Sequence, residues 1–217
     1  MKKMAIFDLD GTLVDSLTSI GDTCNEALVK HNLSPRDMEE YKYFAGDGAF
    51  ELVKRAVYAS GDEKYEKLQD VYNEYKKIFE KDCTRGVVFF KDIDILLQNL
   101  KDKGIKLAIL SNKPHERTID VVNKIFGDSL FDMVLGCKDE ETKKPNPYGA
   151  LLICERFNIE PKDCVYIGDT DTDIKTGKNA GMYTIGVTWG FRDEKELIEN
   201  NADNIVNSPL EILKSFN

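Results

Sequence analysis

Short apolar runs alternate with helical patterns over the C-terminal part of the chain. From residue 89 onward, stretches in which apolar residues recur every three or four positions are each followed by a short apolar run. These runs cover residues 105–110, 132–135, 164–167, 183–187 and 204–206. Such alternation is typical of parallel strands joined by right-handed helical crossovers. We therefore predict an α/β fold with a Rossmann-like parallel sheet.

A further apolar run, Met4–Phe7, lies near the N-terminus and predicts a buried central strand. The segment after it, residues 16–82, has helical spacing throughout and no convincing strand. Its periodic positions include Ile20, Cys24, Ala27, Leu28, Leu68, Val71, Tyr75 and Phe79. The prediction is therefore an α-helical cap domain, residues 16–82, inserted into a core that is formed by residues 1–15 and 83–217.

The composition of the chain excludes some classes of partner and location. There are 39 acidic and 30 basic residues, giving a net charge of −9, which disfavours non-specific binding to nucleic acid or to an anionic membrane. No apolar run is long enough for a membrane span, and too few residues precede Asp8 for a signal peptide. The five cysteines form no C-x-x-C pair, which is typical of reduced thiols. We expect a cytoplasmic protein that is a monomer or a weak homodimer.

Acidic, hydroxyl and lysine side chains follow the predicted strands at their carboxyl ends. The segments that carry them are residues 8–12 (DLDGT), 111–113 (SNK), 144–145 (KP) and 168–173 (GDTDTD). In an open parallel sheet, ligands bind in the crevice outside the carboxyl ends of the strands. We therefore expect four carboxylates, one hydroxyl and one lysine to converge on one site, and that set is typical of magnesium-assisted phosphoryl transfer.

Asp8 and Asp10 are the first candidates for a metal site. Their spacing places both carboxylates on one side of an extended strand, where they repel each other unless a cation lies between them. Mg²⁺ prefers oxygen ligands, and Asp169 and Asp173 supply more of them. Gly11 lets the backbone approach a phosphate closely. This chemistry favours a Mg²⁺ site, although each acidic segment alone also fits a turn or a capped helix start.

Ser111, Asn112 and Lys144 are the candidates for binding the phosphate. Ser111 and Asn112 lie between a predicted strand and a helix that begins near Pro114, and helix N-termini bind anions through free N–H groups. The same two residues also fit a plain capping role, and a single lysine is usually exposed. The occurrence of all these segments in one order, each after a predicted strand, favours a shared phosphate site.

The four segments resemble the four motifs of the haloacid dehalogenase superfamily, and in particular of its phosphatases with a small helical cap. The first motif resembles residues 8–16, the second Ser111-Asn112, the third Lys144-Pro145 and the fourth residues 168–173. The resemblance covers nearly the whole chain. It implies that Asp8 is a nucleophile that forms an aspartyl-phosphate and that Asp10 is the general acid and base.

The resemblance also implies roles in binding. Mg²⁺ would be held by Asp8, Asp10 (through its carbonyl oxygen) and Asp169, with Asp173 ligating the metal or ordering its waters. Ser111 and Lys144 would be part of the catalytic set because they hold the phosphoryl oxygens, and Lys144 would also orient Asp8. The full set of phosphate- and substrate-binding candidates is Gly11, Thr12, Ser111, Asn112, Lys144, Gly46, Asp47 and Gly48.

Within the superfamily, the chain is most similar to phosphoglycolate phosphatases. Residues 44–48 (FAGDG) resemble their cap loop, and residues 187–192 (VTWGFR) and 202–206 (ADNIV) resemble their C-terminal region. Residues 84–90 (TRGVVFF), which return from cap to core, lack the Pro-Tyr-Pro-Gly pattern expected there. The resemblance implies a small phosphorylated metabolite as substrate, with 2-phosphoglycolate as the first candidate.

The carboxylate of that substrate needs a cationic or N–H-rich partner. Lys54, Arg55 and the backbone N–H groups of the Gly46–Gly48 loop are the candidates, although Lys54 and Arg55 also fit an ordinary solvated helix face. Cys137 follows a predicted strand, where it either lines the site or packs as an inert thiol.

Other activities within the superfamily stay open or are disfavoured by single residues. Pyrophosphatase and nucleotidase activities share all four motifs and remain alternatives. A dehalogenase would not need Asp10, and the histidine of β-phosphoglucomutases is absent from residues 16–30. A non-catalytic regulatory module that binds a phosphorylated ligand would usually have lost Asp8 or Asp10, and both are present.

Overall fold

A six-stranded sheet forms the centre of the computed structural model, which describes residues 2–216. The strands in these residues are β1 (Met4–Phe7), β2 (Val14–Asp15), β3 (Val88–Phe89), β4 (Lys106–Pro114), β5 (Met133–Cys137), β6 (Cys164–Gly168), β7 (Tyr183–Val187) and β8 (Asn204–Val206). The large sheet has the order β5-β4-β1-β6-β7-β8, and all its neighbouring strands are parallel. The predicted α/β fold with a Rossmann-like parallel sheet is therefore confirmed.

Helices connect the strands. The α-helices are α1 (Leu17–Lys30), α2 (Met38–Phe44), α3 (Ala49–Ala59), α4 (Leu68–Lys81), α5 (Ile93–Asp102), α6 (His115–Phe126), α7 (Tyr148–Phe157), α8 (Asp171–Asn179) and α9 (Glu194–Glu199). Short 3₁₀ helices cover Glu140–Thr142, Pro161–Asp163 and Pro209–Phe216. None of the helices between residues 2 and 216 is both long and apolar enough to cross a membrane.

The order of the strands reverses at β1. Among the strands of this sheet, β4 is the next along the chain after β1, and it lies on one side of β1 with β5 beyond it. β6, β7 and β8 follow on the other side. The last residue of β1, Phe7, pairs with Ile109 of β4 and with Ile167 of β6. Phe7, Ile109 and Ile167 are thus level with one another, and β4 continues beyond this level to Pro114. A crevice at such a reversal is the usual ligand site of this class of sheet.

The side chains of β1 alternate between two apolar layers, as the period of a strand requires. Met4 and Ile6 pack in a cluster with residues of α7, whereas Ala5 and Phe7 belong to the larger cluster on the opposite face. That larger cluster continues into the inserted helices, where it includes buried Leu28 and Val53. The strand that carries the first acidic motif is therefore fixed on both faces by buried apolar side chains.

The helices α1–α4 lie between two very short strands that the sequence pattern does not reveal. β2 and β3 pair antiparallel, with Val14 opposite Phe89 and Asp15 opposite Val88. Two residues are too few for a periodic signal, which is why this pair was not predicted. The helical character of the inserted segment is confirmed by α1–α4, while its assignment as a separate cap domain of residues 16–82 stays a prediction.

Two motif segments lie differently from the sequence prediction. Ser111 was expected after a strand that ends at residue 110, but β4 continues to Pro114 with an irregularity in its pairing to β5 after Leu110. Lys144 was expected at a strand end, but it lies in the loop after β5, beyond the 3₁₀ helix Glu140–Thr142. Polar residues in a strand and a short helical turn in a loop leave little trace in hydrophobic periodicity, so neither feature was predicted.

A pair of leucine substitutions tests where the core lies. Leu100 of α5 is fully buried, whereas Leu151 of α7 is 41% exposed. We expect Leu100→Ala to lower the free energy of unfolding by about 2–5 kcal/mol because it leaves a cavity, and Leu151→Ala to change it by about 0.5 kcal/mol or less. Urea denaturation followed by circular dichroism measures both. Equal losses for the two variants would contradict this packing.

Candidate active site

Three buried carboxylates meet at the carboxyl end of the sheet. One oxygen atom each of Asp8, Asp169 and Asp173 lies within 4.8 Å of the others, and the three residues are 6%, 0% and 0% exposed. Asp8 directly follows β1, Asp169 directly follows β6, and Asp173 lies in the first turn of α8. The reversal of strand order at β1 therefore brings together residues that are far apart in the sequence.

Local hydrogen bonds fix two of these carboxylates. Thr170 and Asp173 form a capping box at the start of α8, in which the backbone N–H of Thr170 donates to Asp173 Oδ2 at 3.1 Å. Asp169 accepts hydrogen bonds from Thr12 Oγ1 at 2.8 Å and from the backbone N–H of Phe191 at 2.8 Å. Hydrogen bonds within the chain therefore hold both carboxylates in place.

Gly11 leaves room for this arrangement. Its φ is +85°, and a Cβ at this position would collide with the carboxylate of Asp169. Glycine is therefore required twice, by the backbone conformation and by the close approach of the first motif to the fourth.

Lys144 is the cation that faces the three carboxylates. Its Nζ lies 2.8 Å from Asp8 Oδ1 and 2.7 Å from Asp173 Oδ1, and its side chain is only 2% exposed. Asn112 holds the loop that carries it: Asn112 Oδ1 accepts a hydrogen bond from the N–H of Lys144 at 2.8 Å, and Nδ2 donates to its carbonyl at 3.1 Å. Asn112 therefore positions Lys144, beyond any role in capping a helix.

Burial and neighbouring charges shift the pKa values of Asp8, Asp169 and Lys144 in this cluster. Burial, followed by the charge of Asp173, raises the pKa of Asp8 well above its ordinary value, although Lys144 lowers it. Burial and the charge of Asp173 also raise the pKa of Asp169 to about 7. Burial opposes the charged form of Lys144, but Asp173 and Asp8 raise its pKa well above that of an ordinary lysine.

One ammonium group faces three carboxylates in this cluster, so the cluster carries a net negative charge when all three are ionised. An oxygen-only, electron-rich donor set is what Mg²⁺ prefers. The residues present therefore fit a hard divalent cation, and Asp8, Asp169 and Asp173 are the side chains that could hold it.

The carboxylate of Asp10 does not join this group, although the sequence predicted that four carboxylates would converge. It accepts hydrogen bonds from Lys113 Nζ at 2.6 and 2.7 Å and from Ser16 Oγ at 2.6 Å. The side chain of Asp10 is therefore not a ligand candidate in this arrangement, and only its carbonyl oxygen stays as a predicted ligand. The chain turns sharply after Asp8, where the N–H groups of Thr12, Leu13 and Val14 all donate to the carbonyl of Leu9, so the two aspartates do not share a side of an extended strand.

Lys113 is the functional candidate that the sequence prediction missed. It lies two positions after Ser111 in β4, so strand alternation places both side chains on the same face. The spacing between Ser111 and Lys113 could have indicated this role. Lysine side chains close to a predicted strand end are usually exposed to solvent, however, so Lys113 was not chosen. In the structure its side chain is 3% exposed.

A cavity of about 50 Å³ opens between the strand ends and the inserted helices. Its polar lining comes from the core, and its apolar lining comes mainly from α1, α3 and α4. The polar residues are Asp8, Asp10, Ser111, Asn112 and Lys113, and the others are Ile20, Ala45, Gly46, Gly48, Ala49, Leu52, Tyr75, Phe79 and Pro114. Of the predicted cap-loop residues, Gly46 and Gly48 thus line the cavity.

Asp47, the third cap-loop candidate, does not line the cavity and connects the loop to the core. Its side chain pairs with Arg55 and accepts a hydrogen bond from Thr172 Oγ1 at 2.9 Å. Burial opposes its charged form, but Arg55 and Thr172 hold the pKa of Asp47 below its ordinary value. Lys143 Nζ also donates to the Asp47 carbonyl at 3.1 Å. These contacts therefore hold the loop beside the cavity.

Three further candidates lie outside this cavity. Arg55 is engaged by Asp47 and by the carbonyl of Phe44 at 3.0 Å, and Lys54 lies 3.4 Å from Glu51. Cys137 lines a neighbouring cavity of about 270 Å³ that it shares with Ser111, Asn112 and Lys144. Lys54, Arg55 and Cys137 do not line the cavity that contains Asp8.

Comparisons with known proteins agree with this geometry. The chain is 32% identical over 206 residues to the phosphoglycolate phosphatase of Psychrobacter arcticus, covering 92% of this chain and 89% of that protein. It is also 32% identical to the phosphoglycolate phosphatase of Haemophilus influenzae strain Rd, covering 93% and 92%. A crystal structure of a "predicted phosphoglycolate phosphatase" from Haemophilus somnus 129PT superposes with a TM-score of 0.92 at 26% identity, covering 100% and 98% of the two chains.

The family model described as haloacid dehalogenase-like hydrolase matches residues 5–187. That span starts in β1 and ends with β7, so it contains the three buried carboxylates, Lys144 and the inserted helices. The resemblance inferred from the motifs is confirmed: this chain is a hydrolase of the haloacid dehalogenase-like family.

Proposed function

We propose that this chain is a Mg²⁺-dependent phosphatase that hydrolyses a small phosphate monoester through an aspartyl-phosphate, with 2-phosphoglycolate as the first candidate substrate. The observation that carries the proposal is the buried cluster of Asp8, Asp169 and Asp173 around Lys144 Nζ. An enclosed carboxylate nucleophile beside cationic groups suits phosphoryl transfer, which depends mostly on positioning and charge neutralisation.

In the first proposed step, a carboxylate oxygen of Asp8 attacks phosphorus and the bond between phosphorus and the ester oxygen breaks. Asp10, which lines the same cavity, donates a proton to the departing oxygen. Ser111 Oγ and Lys144 Nζ bind phosphoryl oxygens, with Lys144 already 2.8 Å from Asp8. The products of this step are the free alcohol and a phosphoryl group on Asp8.

In the second step, a water molecule attacks the phosphorus of the aspartyl-phosphate. Asp10 accepts a proton from that water, the bond between Asp8 and phosphorus breaks, and inorganic phosphate leaves. A covalent intermediate thus divides one difficult hydrolysis into two easier steps. The apolar side chains of the inserted helices exclude bulk water from the cavity while this occurs.

Asp8, Asp169, Asp173 and the carbonyl oxygen of Asp10 are the groups proposed to hold Mg²⁺. When bound, the ion supplies positive charge that offsets the carboxylates and the phosphoryl oxygens. The raised pKa of Asp8 supports this role, because a nearby cation favours the ionised form that the nucleophile needs.

The choice of substrate rests on the relatives. The two curated relatives described above are phosphoglycolate phosphatases, each 32% identical to this chain over 92% and 93% of its length. Pyrophosphatases of the superfamily share all four motifs, so pyrophosphatase is the second candidate function.

A substrate screen tests the proposed activity. We expect 2-phosphoglycolate to rank among the best substrates by kcat/KM, because the two relatives described above act on it. The screen should include small phosphate esters, p-nitrophenyl phosphate, pyrophosphate and nucleoside monophosphates. If pyrophosphate ranks first, pyrophosphatase replaces the proposal, and if no phosphate compound is hydrolysed, the phosphatase function itself is refuted.

The metal site is tested by thermal stability as well as by activity. We expect Mg²⁺ at 100 times its Kd to stabilise the protein by about 2.7 kcal/mol, which raises Tm by about 5–10 °C, because the ion relieves repulsion among the buried carboxylates. Asp169→Asn should lose this shift. Asp171→Asn is the matched control, since Asp171 pairs with Lys175 outside the cluster. Full turnover in excess chelator would contradict metal dependence.

The roles of Asp8 and Asp10 are separated by a trapping experiment. With p-nitrophenyl phosphate, departure of the phenolate needs little help from an acid, so Asp10→Asn should still form the adduct but hydrolyse it roughly 10²–10⁴-fold more slowly. We therefore expect acid-quenched Asp10→Asn to carry a phosphoryl group on Asp8 by peptide mass spectrometry. Asp8→Asn should be inactive and unmodified. A phosphoryl group on Ser111 would overturn the mechanism.

A further inference from the structure

Lys113 places a positive charge inside the substrate cavity. Its Nζ lies beside Asp10 and 5.4 Å from the centre of the Phe79 ring, which belongs to α4 above the site. The side chain is 3% exposed. Burying a cation costs free energy unless an anion lies beside it. The carboxylate of Asp10 is that anion.

The hydrogen-bonding capacity of Lys113 is not exhausted by Asp10. An ammonium group has three N–H donors, and between residues 2 and 216 the acceptors of Lys113 Nζ are the two carboxylate oxygens of Asp10. One donor is therefore left for another acceptor, and the cavity is the space next to it.

Other cations do not serve this part of the cavity. Among the described residues that line it, Lys113 is the one with a positive charge. Lys144 does not line this cavity and is paired with Asp8 and Asp173. Arg55 is engaged by Asp47. An anionic group on the leaving-group side of a substrate would thus have Lys113 as its partner.

We propose that Lys113 is the residue that selects phosphate esters whose leaving group carries a carboxylate. This inference rests on the proposed phosphatase function and defines its substrate class. The phosphoryl group lies between Asp8, Ser111 and Lys144, and the short leaving group extends toward Lys113, where its carboxylate accepts the remaining N–H. The apolar walls of Leu52, Tyr75 and Phe79 strengthen this contact because they exclude water.

Two esters of the same shape test the inference. 2-Phosphoglycolate and its uncharged amide, 2-phosphoglycolamide, differ only in the charge of the group that would meet Lys113. We expect wild-type protein to prefer the carboxylate, and Lys113→Met to lower kcat/KM for 2-phosphoglycolate about 10- to 100-fold more than for the amide, mainly through KM. Lys113→Arg should retain most of the preference.

The controls separate this role from others. Any effect of Lys113 through Asp10 acts on both esters, so it cancels in the ratio of their kcat/KM values. Lys54→Met removes a cap lysine outside the cavity and should leave the ratio unchanged. Should Lys113→Met be too slow to assay, calorimetric binding of 3-phosphonopropionate and its carboxamide in the presence of Mg²⁺ gives the same comparison on folded protein.

The outcomes distinguish the inference from the function on which it rests. Equal losses for both esters in Lys113→Met would show that Lys113 only positions Asp10, and the inference would be wrong while the phosphatase function stands. A wild-type protein that hydrolyses both esters equally well also refutes the inference alone. A wild-type protein that hydrolyses neither ester, nor p-nitrophenyl phosphate, refutes the proposed function itself.

Discussion

The ammonium group of Lys144, held between Asp8 and Asp173, is the interaction on which the site depends. Three carboxylates without such a partner would be too costly to bury, because each loses its hydration. The loop that carries Lys144 is in turn fixed by the side-chain amide of Asn112, and Asp173 is fixed by the capping box of α8. The second, third and fourth motifs therefore form one hydrogen-bonded unit around the first. One lysine cannot balance three ionised carboxylates, which is the basis of the proposed Mg²⁺ site.

The reversal of the sheet at β1 explains why these residues meet there. β4 and β6 flank β1 at equal register, so Asp8 after β1 and Asp169 after β6 emerge at one level, beside the end of β4 that carries Ser111 and Lys113. The inserted helices close the opposite side with apolar side chains, and Asp47, Asn112 and Lys143 fasten the cap loop to the core. The result is a cavity that is charged on the side of the sheet and apolar on the side of the inserted helices.

Much of the fold could be predicted because buried strands and amphipathic helices impose different periods on the sequence. β1, β6 and β7 lie within a residue of their predicted bounds. The pair β2 and β3 and the extension of β4 to Pro114 were missed, since very short strands and polar strand residues carry no periodic signal. The roles of Lys54 and Arg55 could not be judged from spacing either, because what engages them is another side chain, Glu51 for one and Asp47 for the other.

The sequence by itself determined the family, the sheet type and the identity of the motif residues, because those properties depend on local composition and order along the chain. Only the tertiary structure decided how the charges are partnered. It separated Asp10 from the other three carboxylates and paired it with Lys113, and it enclosed that pair beneath Phe79. Pairing depends on distances between residues about a hundred positions apart, and such distances follow from packing and strand order rather than from any local pattern.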